Sequence, residues 1–91
     1  MNHTPVENPK RYPCPCCGCL TFPVPPEDAL ACICPVCFWE NDVFLTSPEE
    51  PSDENHGLTL WEAWQNYQTH GAVLPRLVPY TRKPTPEELP K

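Results

Sequence analysis

The chain has 91 residues, a formal charge of −6, 15 prolines and 7 cysteines. That length allows one small domain, whose limited core calls for a staple of metal or disulfides. The charge excludes strong attraction to phosphate backbones and anionic membranes, and the odd cysteine count excludes a complete disulfide framework.

Residues 1–9 are polar, are punctuated by Pro5 and Pro9, and are expected to be disordered. The opening "MNHTPVENPK" has neither the apolar run of a signal peptide nor transit-peptide character. No stretch approaches the ~18–20 apolar residues of a membrane span. The expected location is therefore cytoplasmic, where thiols stay reduced and cysteine clusters more often hold metal than disulfides.

A metal-binding domain is expected over 10–81. "LTFPV" at 20–24 combines β-branched and aromatic residues, and the turn material "PPED" follows it. "ALACI" at 29–33 leads into a second cysteine pair, and "FWENDVFL" at 38–45 reads as a short strand. Two hairpin-like halves result, with Pro23 confined to an edge or a strand end. Residues 46–57, "TSPEEPSDENHG", read as an exposed loop. Acidity concentrates over 40–62, in Glu40, Asp42, Glu49, Glu50, Asp53, Glu54 and Glu62, with no Lys or Arg among them.

A helix is expected from Leu60 to about His70. Thr59 and Glu62 have the spacing of a capping box, and Leu58 and Ala63 that of a hydrophobic staple. Leu60, Ala63, Trp64 and Tyr67 form one apolar stripe, and Gly71 stands where a left-handed stop is wanted. Prolines 75, 79, 84 and 86 then forbid an α-helix. An extended strap is expected, packed through Leu74, Leu77, Val78 and Tyr80, with a flexible Pro-rich tail over 82–91.

The chemistry lies in "CPCCG" at 14–18 and "CPVCF" at 34–38. Each is Cys-Pro-x-Cys, a turn that aims two sulfurs at one point, with proline setting φ after the first cysteine. Cys14, Cys17, Cys34 and Cys37 give C-x₂-C-x₁₆-C-x₂-C, within the spacing of a four-sulfur zinc site. One structural Zn²⁺ is the expected cofactor, with iron possible on heterologous expression. Two rivals stay open: Cys16 and Cys19 share the C-x₂-C spacing without the proline, and a two-metal cluster would use six of the cysteines. Outside the first set, Cys16 reads as a small apolar core residue. Cys19 and Cys32 each lie two residues outside an inner ligand, and as a facing pair they would be able to oxidise to a disulfide.

With "CPCCG", "CPVCFWEND", "GLTLWEAWQNY" and "RKPTPEELP" in that order, the chain resembles the bacterial CPCC family of small cysteine-rich proteins. The resemblance implies zinc-ribbon or rubredoxin-like knuckles followed by a helix. It carries Cys14, Cys17, Cys34 and Cys37 across as ligands, with Cys16 as a further member of the motif. It also hints at a toxin-neutralising role. Cys19 and Cys32 look like additions to the family pattern. Asn41 stands where an acidic residue is more usual, and Trp64 where a basic one is.

The expected fold is thus a small α+β, metal-stapled domain of two hairpins and one helix. Catalysis is not expected, because no nucleophile triad, phosphate loop or open metal position is present. The expected function is protein binding through an acidic surface, in which Trp39, Glu40 and Asp42, held by the second knuckle, dock a basic partner such as a toxin; Trp39 also reads as a core residue packed against the helix. The alternatives are nucleic-acid binding through Lys10, Arg11, Arg76, Arg82 and Lys83, and thiol redox sensing or iron-based electron transfer.

Overall fold

The structure is a computed structural model that describes residues 11–90. The expected disordered segment 1–9 lies outside the described residues. Among the described residues the fold is a small α+β arrangement: one two-stranded antiparallel hairpin, one α-helix and a cluster of four cysteines.

The hairpin pairs β1, Tyr12–Pro13, with β2, Leu20–Phe22. Tyr12 opposes Phe22 and Pro13 opposes Leu20, with a bulge between them. The first Cys-Pro-x-Cys turn connects the strands. The Gly18 N–H donates to the Cys14 carbonyl at 2.8 Å and the Cys14 N–H to the Cys19 carbonyl at 2.9 Å. β2 ends at Phe22, ahead of Pro23, which has no N–H to offer a ladder.

The second half repeats this turn. The Phe38 N–H donates to the Cys34 carbonyl at 2.8 Å and the Cys34 N–H to the Trp39 carbonyl at 2.9 Å. Gly18 and Phe38 hold the same left-handed conformation, with φ of 80° and 71°. The expected second hairpin, however, shrinks to a single bridge between Ile33 and Glu40. Local hydrogen bonding of Asp42 stops the strand. Its carbonyl accepts from the Leu45 N–H and its Oδ1 from the Phe44 N–H, closing a turn over the run that reads as β-forming. Asn41 is pulled aside as well, its Nδ2 donating to the carbonyls of Pro26 and Ala29 at 2.7 and 2.9 Å. A carboxylate at this position would have no proton to give.

The segment 46–57 is more than a solvated loop. Asn55 is buried: its Oδ1 accepts from the Glu40 N–H, and its Nδ2 donates to the Glu40 carbonyl and to Ser52 Oγ, each at 2.8 Å. Ser52, fully buried, donates in turn to Asp42 Oδ2 at 2.8 Å. These bonds pin the loop to the second knuckle.

The helix α1, Leu60–His70, has the predicted caps. The Glu62 N–H donates to Thr59 Oγ1 at 3.1 Å, and Glu62 Oε1 accepts from the Thr59 N–H at 3.0 Å. Gly71 ends the helix at φ 90°. The buried stripe is narrower than its periodicity suggests. Ala63 is in the core, Leu60 and Tyr67 pack at its edge, and Trp64 stays 43% exposed. A surface as small as two knuckles covers only the centre line of a helix. The core holds Phe22, Val36, Trp39 and Val73 with the cysteines. The Val73 N–H donates to the Cys37 carbonyl at 2.9 Å and ties the chain after α1 to the second knuckle.

The strap is not extended. Pro75–Tyr80 forms a 3₁₀ helix that packs on α1. Proline at its first turn lacks an N–H that would have no partner there anyway, and its φ suits this geometry. Leu77 reaches the core, whereas Val78 and Tyr80 are exposed, Tyr80 with its ring centroid 6.0 Å from that of Phe38. Along the Pro-rich tail, the Arg82 N–H donates to the Pro35 carbonyl, and Arg82 holds both carboxylate oxygens of Glu88 at 2.7 and 2.8 Å. A short 3₁₀ turn, Pro86–Glu88, touches β2.

Candidate metal centre

The two knuckles meet with their sulfurs together. The Sγ atoms of Cys14, Cys17, Cys34 and Cys37 all lie within 4.8 Å of one another. Cys14 and Cys37 are 3.6 Å apart across the junction, and Cys17 and Cys34 are 3.7 Å apart. All seven cysteines are free thiols. A tetrahedron of sulfurs with metal–sulfur bonds of ~2.3 Å has edges of ~3.8 Å. The cluster therefore has the size to hold one metal ion. Among the described residues no other group of three or more His, Cys, Asp or Glu is gathered in this way.

The surroundings suit sulfur that carries charge. The Cys16 N–H donates to Cys14 Sγ at 3.4 Å, and Thr21 Oγ1 lies 3.2 Å from Cys34 Sγ. The sulfurs also perturb one another strongly. Hydrogen bonding from Cys14 first, then Cys17 and Cys37, with Thr21 adding, pulls the Cys34 thiol far below the ordinary thiol range. Hydrogen bonding with Cys14 and then Cys34 pushes the Cys17 thiol up. Four thiolates this close repel one another, and a cation between them removes that repulsion.

The spare thiols take places that the repeat explains. Cys16 is the counterpart of Val36, third in its turn, and both are buried. Cys19 is the counterpart of Trp39, and both are core residues. Cys19 faces α1, where burial, then the sulfurs of Cys19 and Cys17, raises the Tyr67 phenol. Cys32 is half-buried at the core's edge, and no disulfide joins it to Cys19. Neither Cys16 nor Cys19 belongs to the four-sulfur group.

The expected interaction residues divide. Trp39 is 1% exposed, so the aromatic assigned to the docking surface is a core residue. The indole is too large and apolar to stay in water when a core of knuckle sulfurs, Ala63 and Val73 can receive it. Asp42 is half-buried, with both carboxylate oxygens engaged by Ser52 and Phe44. Glu40 is half-buried too; desolvation first, then Glu54 and Asp42, raises its carboxyl. The cations of the nucleic-acid alternative are partly committed: Arg82 to Glu88, and Arg76 to His56 Nδ1 at 3.1 Å. Lys10 lies outside the described residues.

One residue that touches the sulfurs lies outside the cysteine motifs. Thr21 stands four residues after the second cysteine of its turn, where the other turn has the buried Asn41. A polar residue at that repeat position, inside an apolar run, was the available signal.

Residues 12–88 match the family model described as cysteine-rich CPCC. No curated protein matches the chain, and no solved structure does. No helix among the described residues is long and apolar enough to cross a membrane.

Proposed function

The chain belongs to the cysteine-rich CPCC family, and from that premise we propose that it is a small structural-zinc module whose task is to bind another protein. The observation that carries this reading is the meeting of Cys14, Cys17, Cys34 and Cys37 at the joint of two otherwise weakly paired knuckles. An all-sulfur set of this size suits zinc, and four protein ligands leave no position for a substrate. The module is accordingly not an enzyme. Held by Cys14, Cys17, Cys34 and Cys37, the ion would cross-link the two halves. The backbone N–H of Cys16 and the hydroxyl of Thr21 disperse charge on the sulfurs.

The charge selects the partner. Residues 12–75 contain no Lys or Arg, so a basic protein is attracted while nucleic acid is repelled. A basic toxin is one such partner. Reduced thiols fit a cytoplasmic setting.

Native mass spectrometry of the purified protein tests the metal: one zinc per chain is expected, and none in a Cys34→Ser variant. Stripping the zinc with a chelator should abolish the near-UV dichroism of buried Trp39. A metal-free chain with unchanged dichroism and amide dispersion refutes the structural role. Capture from source cells tests the binding role, comparing the wild type with a Glu27→Lys, Glu54→Lys variant. Asp42 is the wrong choice, because its carboxylate holds Ser52 and the Phe44 N–H. Identical or empty partner sets refute an acidic docking face.

A further inference from the structure

We infer that the partner enters a preformed, acid-rimmed tryptophan groove as an extended segment bearing arginine. The inference rests on the protein-binding reading and names its surface. Trp61 and Trp64, one turn apart on α1, are 52% and 43% exposed. With Pro15, Pro48 and Leu60 they line a cleft of about 200 Å³. The same Pro15, Pro48 and Leu60 also line a second cleft of about 360 Å³, which continues to Val43 and Leu45 and carries Glu27 and Asp42 on its wall. The two form one groove, with indoles at one end and carboxylates along it.

The groove is held ready. The Trp61 indole Nε1 donates to Glu49 Oε2 at 2.8 Å, and the Trp61 N–H donates to the Pro48 carbonyl. Thr46 donates from its N–H and its hydroxyl to Glu50 Oε1 at 2.8 and 2.9 Å. The loop that forms one wall is thus fastened to itself and to α1. A preformed wall spares a ligand the entropy of ordering it. The Trp61 indole is fixed at one edge by this hydrogen bond, and both indoles remain exposed to a flat cation.

Charge complementarity selects the occupant. Glu27 and Asp42 line the groove, Glu49 lies at the Trp61 edge beside it, and no Lys or Arg lies within residues 12–75 to neutralise them. A guanidinium stacks on an indole and also pairs with a neighbouring carboxylate, which a compact ammonium does less well. Apolar or proline side chains beside the arginine fill the Pro15–Pro48–Leu60 floor, as extended segments do in aromatic-lined grooves. The same face of a second copy brings like charge to like and is repelled.

The test selects a phage-displayed library of short random peptides on the zinc-loaded full chain. Enriched peptides should carry arginine next to apolar or proline residues, shift the tryptophan emission to the blue, and weaken with added salt. A Trp61→Ser, Trp64→Ser variant, exposed at both positions and therefore able to fold and keep its zinc, should bind them at least about tenfold more weakly. No enrichment, no bias to arginine, or equal binding by the double variant overturns the groove. If the double variant still captures the wild-type partner from source cells, the groove falls and the protein-binding reading stands. If neither peptides nor cellular proteins are captured, both fall. Peptides that bind only after deletion of residues 1–10 identify the chain's own N-terminus as the occupant. A dimer lost in the double variant identifies a second copy. Either result overturns the proposal.

Discussion

Thr21→Val changes one hydroxyl to a methyl and leaves the shape of a buried β2 side chain intact. In the structure that hydroxyl lies 3.2 Å from Cys34 Sγ. When the centre is loaded the sulfur is a thiolate, so the hydroxyl must be the donor. A hydrogen bond to a charged group contributes about 1.5–3 kcal/mol. Valine returns part of that, because an apolar group of the same shape packs well in the buried site. A net loss of about 1–2 kcal/mol remains, which is roughly five- to thirtyfold in zinc affinity. That overlaps the ~10–100-fold effect typical of residues that hydrogen-bond to metal ligands. Competition with a chromophoric chelator measures it, with Thr21→Ser as the control that keeps the hydroxyl. Valine should release zinc more readily and serine should stay near the wild type. Equal affinity in Thr21→Val, or equal weakening in both variants, would refute the argument that this hydroxyl stabilises the charged sulfur.

Gly18→Ala should destabilise the zinc-loaded protein by about 1–2 kcal/mol, because a Cβ there meets only Pro90 Cγ at an ordinary 3.9 Å and the loss is conformational. Phe38→Gly, at the matching position of the second turn, relieves similar strain but forfeits the Tyr80 contact, so it should fall within about 1 kcal/mol of wild type; denaturant unfolding that ranks the two variants the other way contradicts the equivalence of the turns. Glu88, hydrogen-bonded by Arg82, is held down at about 2. Its contribution is therefore complete above the ordinary glutamate range, is lost only as pH falls towards 2, and stands at full strength at neutral pH. Because the Arg82 side chain is 46% exposed, solvent screening limits the pair to about 1 kcal/mol at most. Glu88→Gln at neutral pH should speed amide exchange at Arg82 by up to about fivefold, and an unchanged rate would mean that the ion pair does not hold the tail.

The repeat of Cys-Pro-x-Cys was legible because the turn is local: its hydrogen bonds span four or five residues, and proline and a left-handed residue set them. The helix was legible for the same reason, since Thr59, Glu62 and Gly71 cap it from within the same short stretch. Local signals mislead where a distant partner competes with them. "FWENDVFL" has the composition of a strand, yet Asn41 bonds to carbonyls at Pro26 and Ala29, and Asp42 is engaged by Ser52. The loop 46–57 is exposed over most of its length, as its polar composition suggests, but Ser52 and Asn55 are buried and Asn55 reaches across to Glu40.

What the sequence determined by itself was the two Cys-Pro-x-Cys turns and the capped helix, because both follow from spacings shorter than one turn or one hairpin; the gathering of Cys14, Cys17, Cys34 and Cys37, up to 23 residues apart, came from the tertiary structure. Which tryptophans face inward was decided only by the tertiary structure. Periodicity places Trp64 in the stripe and leaves Trp39 open between surface and core. The small breadth of the joined knuckles buries Trp39 and Ala63 and has no area left for Trp61 and Trp64. Burial depends on how much surface the partner element offers, and no pattern within a single segment records that.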